Sequence, residues 1–227
     1  MQHGSLVLDA AARFVDSFLF VAVALFPIVN PLGMAPIFVS YTVGIDDRTC
    51  ARLARRVAYN SFLLATVALL VGSHVLRFFG LSLPAVQIGG GLIVATTAWR
   101  LLHRGEDDPG RSPAVPTAEA AMASAFYPLT MPLTVGPGSI AIMITIGSSA
   151  PHALATRGFP LMQAAGGLAG VAAVCLAIYA SYRYAEPLLN RLGHNGINVM
   201  LRLSAFLLLC LGVQILLNGY RAVSGSS

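Results

Sequence analysis

The sequence predicts an all-α membrane protein of six transmembrane helices, arranged as two inverted three-helix repeats with the first and fourth helices broken. Three observations lead there. Apolar residues make up 56% of the 227 and charged residues only 10%, with a mean hydropathy of +0.75. A soluble domain carries about 25% charged residues, so this chain could not cover its own surface in water. The apolar residues also fall into long runs, and two of those runs are interrupted by clusters of proline and glycine.

A helix needs about 20 apolar residues to cross the hydrocarbon core. Runs of that kind occupy Asp16–Thr42, Val57–Phe79, Leu83–Leu102, Ser124–Ser149, Phe159–Tyr184 and Ile197–Tyr220. They are continuously apolar rather than alternating, which favours helices over a barrel. Arg13 followed by Ala22-Val23-Ala24 imitates a cleavable leader, but the run continues to Val39, as an uncleaved first helix would. Residues 1–227 read as one membrane domain. A first repeat spans 16–102, a cytoplasmic linker 103–123 follows, and a second repeat spans 124–220. The stretch His103–Thr117 is rich in glycine, proline and charge, the composition of an aqueous loop. Three helices per half is an odd number, so the second half enters the membrane inverted. The small-residue runs Gly89-Gly90-Gly91 and Ala164-Ala165-Gly166-Gly167, with Gly170, suit close helix packing.

Orientation rests on arginine, since the chain has no lysine. Nine arginines fall on one side (48, 52, 55, 56, 100, 104, 111, 183 and 191) and four on the other (13, 77, 157 and 221). The positive-inside rule puts the nine in the cytoplasm and both termini on the periplasmic or extracellular side of an inner, cell membrane. The net charge of +5 therefore reads as topology. No basic cluster is interleaved with aromatics for stacking on bases, which argues against a nucleic-acid partner. Cys50, Cys175 and Cys210 form no disulfide framework or metal spacing, and the five histidines are scattered. No nucleophile elbow or phosphate loop is present. The sequence thus predicts no metal, no cofactor and no enzyme.

The interruptions hold the functional signal. The first run contains Pro27, Asn30, Pro31, Gly33 and Pro36; the fourth contains Pro128, Pro132, Gly136, Pro137, Gly138 and Ser139. From Asp16 to Asn30 is about 21 Å of helix, so the first break falls at membrane depth, and the fourth run divides similarly about Gly136. Proline has no amide hydrogen and clashes with the preceding turn. Backbone freed in lipid costs several kcal/mol per group unless protein or water bonds it. A restart at Gly136 makes Pro137 the first helical residue, which proline favours. Each restart aims amides inward and each broken end offers carbonyls, so a zwitterion finds partners for both charges. Paired interruptions in two halves point to a transporter's central site. Two proline kinks without a ligand are the plainer alternative. The substrate-binding candidates are Asn30, Pro31, Gly33, Gly136, Pro137, Gly138, Ser139 and Arg202. Arg202 lies inside the sixth run, either snorkelling to its nearby end or meeting a substrate carboxylate. No carboxylate lies at mid-span to carry a coupling proton.

Asn-Pro-x-Gly-x-x-Pro-x-Phe at Asn30–Phe38 and Pro-Leu-x-x-Pro-Leu-x-x-Gly-Pro-Gly-x-Ile at Pro128–Ile140 resemble the signatures of the MarC family. Phe79–Ala85 with Gly89-Gly90 resembles that family's third helix, and Arg202-Leu203 its sixth. The resemblance runs from about Asp16 to Tyr220. It implies six helices in two inverted repeats, with the two motifs at the centre. It also implies a kinship with SnatA-like transporters of small neutral amino acids such as glycine and alanine. Two positions depart from the family pattern: Gln87 stands where arginine is frequent and Ala205 where glycine is. The expected function is alternating-access transport of a small neutral amino acid, with the lipid bilayer as the other partner. A small-solute channel and a non-transporting membrane partner are the alternatives.

Overall fold

The computed structural model describes residues 2–103, 117–155 and 160–224, and these are helical apart from short turns. In chain order the helices are α1 (Gln2–Val29), α2 (Pro31–Ser40), α3 (Asp47–Phe78), α4 (Leu83–His103) and α5 (Ala118–Ala123). A π-helical segment, Ala125–Thr134, follows, then α6 (Pro137–Ala155), α7 (Pro160–Arg183) and α8 (Ala185–Ser224).

Each boundary has a local cause. Asp46 starts α3 by accepting a hydrogen bond from the Thr49 amide at 3.0 Å. Bonds from Thr49, its hydroxyl foremost, hold the Asp46 carboxyl below its ordinary value. Asp47 in the first turn and Arg77 in the last complement the helix dipole. Gly80 then takes φ 66, and the Leu81 amide bonds the Leu76 carbonyl at 2.9 Å, so the helix stops there. Two residues later Ser82 accepts from the Ala85 amide at 3.4 Å and α4 begins. The motif Phe79–Ala85 is therefore a stop and a start in seven residues. Gly193, with φ 65, makes the matching break near the start of α8.

Four helical stretches are long and apolar enough to cross a membrane: Asp9–Val39, Asp47–Phe78, Leu161–Arg183 and Asn198–Ser224. The pair Ala125–Thr134 and Pro137–Ser148, bent by 67°, makes a fifth if taken as one span. The third expected span, Leu83–Leu102, falls within the 21-residue α4, but Gln87, three glycines and Arg100 dilute its apolarity. Of the linker expected at 103–123, residues 104–116 lie outside the described residues. Its remaining end is not loop: Thr117 caps the six-residue α5, which packs on α3 and the π-helical segment with Ala121 buried.

The helices pack in definite directions. Gly166 and Gly170 of α7 lie against the carbonyls of Phe14 and Phe18, so α1 and α7 run parallel. Arg183 at the end of α7 meets Asp47 at the start of α3, so that pair is antiparallel. Gly91 faces Gly212, and Gly219 faces Pro84, so α4 and α8 are antiparallel as well. The small-residue runs act as points of close approach, with two exceptions: Gly89 is exposed, with nothing within 4 Å of where a Cβ would stand, and Gly167 is loosely packed. A Cβ at Gly167 would find only Val21 and Leu69, at 3.7 and 3.9 Å. Leu25, Val29, Phe38, Leu53, Val57, Leu129, Met143 and Ile178 fill the interior. Phe20, Val23, Phe78, Leu161, Leu176 and Val199 point outward, each more than 60% exposed. Hydrocarbon, not water, is the solvent that suits such a surface.

Candidate functional site at two helix breaks

The first break is one residue wide. Asn30 adopts φ 45, ψ 59, a left-handed conformation that asparagine tolerates better than most side chains. Its amide donates to the Phe26 carbonyl at 2.9 Å, closing α1, and its carbonyl accepts from the Met34 amide at 3.1 Å, opening α2. Its side-chain Oδ1 accepts from the Gly33 amide at 3.2 Å. Pro31 follows as the first residue of α2, where a missing amide hydrogen costs nothing. The break largely satisfies itself. With Oδ1 committed to Gly33, Asn30 presents only its Nδ2 donors to anything else.

The second break is longer. Pro128 and Pro132 force Tyr127 and Met131 before them into extended backbone, with ψ of 125 and 122. The chain therefore winds as a π-type segment, not the α-helix a plain reading of the run suggests. Amide bonds reach five residues back, from Leu129 to Ser124 and from Val135 to Thr130. Two threonines supply further donors to the carbonyls. The Thr130 hydroxyl donates to the Ala125 carbonyl, and Thr134 to Leu129, both at 2.6 Å. Val135 (φ −113, ψ 87) is the hinge, and α6 restarts at Pro137 as the sequence leads one to expect.

A residue far away in sequence joins the breaks. Tyr182 of α7, 4% exposed, stacks its ring on Phe38 of α2 with centroids 4.6 Å apart. Its hydroxyl lies 2.8 Å from the Thr134 hydroxyl. Thr134 spends its only proton on Leu129, so Tyr182 is the donor in this contact. The chain Phe38–Tyr182–Thr134 thus ties the end of the first motif to the middle of the second, where the π-helical segment ends. Tyr182 gives no sign of this in sequence, where an aromatic at a span end reads as an interface residue.

None of the motif glycines has a positive φ: Gly33 and Gly138 are helical, Gly136 lies in the break itself, and the left-handed residue of the two motifs is Asn30. Gly33 is buried where a Cβ would strike the Asn30 Nδ2 and the Ser204 hydroxyl of α8. Gly138 is buried against Val94 and Gly90, near the middle of α4, where a Cβ would strike Val94. Both glycines set how closely a restarted helix approaches its neighbour. Gly136 and Pro137 are partly exposed at the hinge, Ser139 is 2% exposed, and Pro31 is buried. Gln87 of α4 reaches Thr145 of α6 at 3.4 Å. Arg202 is exposed on α8. Ser204 faces Gly33, and positions two apart on a helix point nearly opposite ways, so the fold does not bring Arg202 to the breaks. An apolar groove of about 410 Å³ lies beside the first break, between α1 and α7, lined by Ala22, Val23, Phe26, Pro27, Ala173, Val174 and Ala177. Among the described residues no three His, Cys, Asp or Glu side chains gather as a metal site.

The description "MarC family integral membrane protein" matches residues 15–224. Curated relatives include the inner membrane protein MarC of Citrobacter koseri, 32% identical over 203 residues. Those of Salmonella typhimurium and Escherichia coli O139:H28 are 32% and 33% identical over 202 residues. Each alignment covers 87% of this chain and 90% of the relative. No solved structure matches. Nearly the whole chain, both broken-helix motifs included, lies within the match, and the protein belongs to the MarC family of integral membrane proteins.

Proposed function

We propose that this protein is an inner-membrane transporter of small neutral amino acids of the glycine and alanine type. It works by alternating access about a site between the two breaks. The observation that carries the reading is the bridge itself. Two discontinuous segments, from opposite halves of the chain, are held by one buried tyrosine. A pair of unrelated proline kinks has no reason to share such a partner.

Six spans in two inverted repeats complete the proposal, with α4 as the third span and both termini periplasmic. The packing supports it. If α1, α2, α3 and α4 correspond to the π-helical segment, α6, α7 and α8, the contacts fall into equivalent pairs. Helix α1 packs on α7 as the π-helical segment packs on α3; α2 packs on α7 as α6 packs on α3. Helix α2 packs on α8 as α6 packs on α4. The equivalent pairs α3 with α7 and α4 with α8 touch each other and run antiparallel, as an inverted repeat requires.

In this reading the Asn30 Nδ2 donates to the substrate carboxylate, and carbonyls at the hinge before Pro137 take the ammonium. Pro31, Gly33, Gly136, Gly138 and Ser139 shape the walls. The close approach at Gly33 and Gly138 limits the space and favours a substrate with little or no side chain. The test is counterflow of labelled glycine and alanine in proteoliposomes. Saturable, stereoselective exchange supports a transporter. Flux that never saturates makes it a channel, and absence of flux for every common amino acid leaves a non-transporting membrane partner.

A further inference from the structure

Tyr182 does more than fill space. Its ring already packs on Phe38 with an interplanar angle of 17°, and a phenylalanine would stack equally well. The hydroxyl is an added polar group in a site 4% exposed, where it is costly unless bonded. Its partner, Thr134, is the last residue of the π-helical segment and stands directly before the hinge at Val135. Phe38 stands two residues before the end of α2. One side chain therefore holds the far end of one restarted helix and the near edge of the hinge that aims the other.

We propose that the Tyr182 hydroxyl is a latch: its bond to Thr134 holds both breaks together in a closed arrangement, and opening of the site requires that bond to part. Tyr182 is a positioning residue and touches no substrate. The inference rests on the transporter reading, because the opening it controls is the one a substrate would use.

The test needs no substrate. Ser139, buried just beyond the hinge, is replaced by cysteine in a chain whose Cys50, Cys175 and Cys210 are alanine. Its reaction rate with a small methanethiosulfonate is measured in detergent. Tyr182→Phe keeps the stack and removes only the latch, and should speed labelling about fivefold, the factor that one net hydrogen bond confers. Thr134→Val breaks the same bond from the other side and should also speed labelling. The double variant should be no faster than Thr134→Val alone. Unchanged labelling in both single variants overturns the latch, whether or not the melting temperature falls, and so does full additivity in the double variant. If labelling accelerates but no amino acid is transported, the latch stands and the amino-acid reading fails.

Discussion

Arg183, the last residue of α7, grips Asp47, the first residue of α3, through two hydrogen bonds of 2.7 and 2.8 Å. The pair joins the two halves of the chain one residue beyond Tyr182. It also lies at the end of the bundle that collects Arg48, Arg52, Arg55 and Arg56. Asp47 is 76% exposed on its side chain, so water and salt screen the attraction. Asp47→Ala should lower the melting temperature by less than about 4 °C, with the difference shrinking at high salt. A larger, salt-independent loss would mean that the pair organises the α3–α7 contact.

Cys50 lies one turn into α3 at that same end, half-buried, with its thiol 3.7 Å from the Ile45 carbonyl. In the proposed orientation the arginine-rich end is cytoplasmic, so an impermeant maleimide should leave Cys50 unlabelled in intact cells and label it after permeabilisation. Labelling from outside inverts the topology.

Asn30 carries two separable duties. Asn30→Asp keeps an oxygen for the Gly33 amide and tolerates the left-handed backbone, but exchanges the Nδ2 donors for negative charge. It should fold with a near-normal melting temperature and lose glycine binding by tenfold or more, on the order of one charge-assisted hydrogen bond. Asn30→Ala loses the cap and strains the backbone, together about 2–3 kcal/mol of stability. Melting curves beside binding isotherms for the two variants separate cap from ligand; normal glycine binding by Asn30→Asp removes Asn30 from the site.

Neighbouring glycines on α7 should answer alanine in opposite ways. A Cβ at Gly166 would run into the Phe14 carbonyl, which cannot rotate aside, and the overpacking should cost about 1–3 kcal/mol. At Gly167 the nearest atoms are side-chain methyls at ordinary contact distance. There alanine should be neutral or stabilising by up to about 1 kcal/mol through helix propensity. Melting temperatures in detergent give the order, and its reversal would contradict the parallel packing of α1 on α7.

Arg202 is exposed on α8 and faces away from Gly33. Arg202→Gln should therefore leave glycine affinity within about twofold of the parent in an isothermal titration. A loss of tenfold or more for amino acids, with none for an amine lacking the carboxylate, would return Arg202 to the site.

The membrane character, the helical class and the positions of both breaks are written in the sequence by itself. Scarce charge, long apolar runs and proline are local properties, and each acts on the backbone wherever the chain goes. Pro137 begins a helix because proline costs nothing there, and Gly80 ends one because a left-handed turn favours glycine. The number of clear spans was less legible, because α4 mixes Gln87, glycines and Arg100 into its run. Tertiary structure decided how the breaks are held. Nothing local marks Tyr182 as the partner of Thr134, forty-eight positions away, or sets Ser204 over Gly33. Those contacts follow from the way the helices pack, with α2 on α8 and α6 on α4. Helix periodicity specifies a face; only the packed bundle specifies what that face meets.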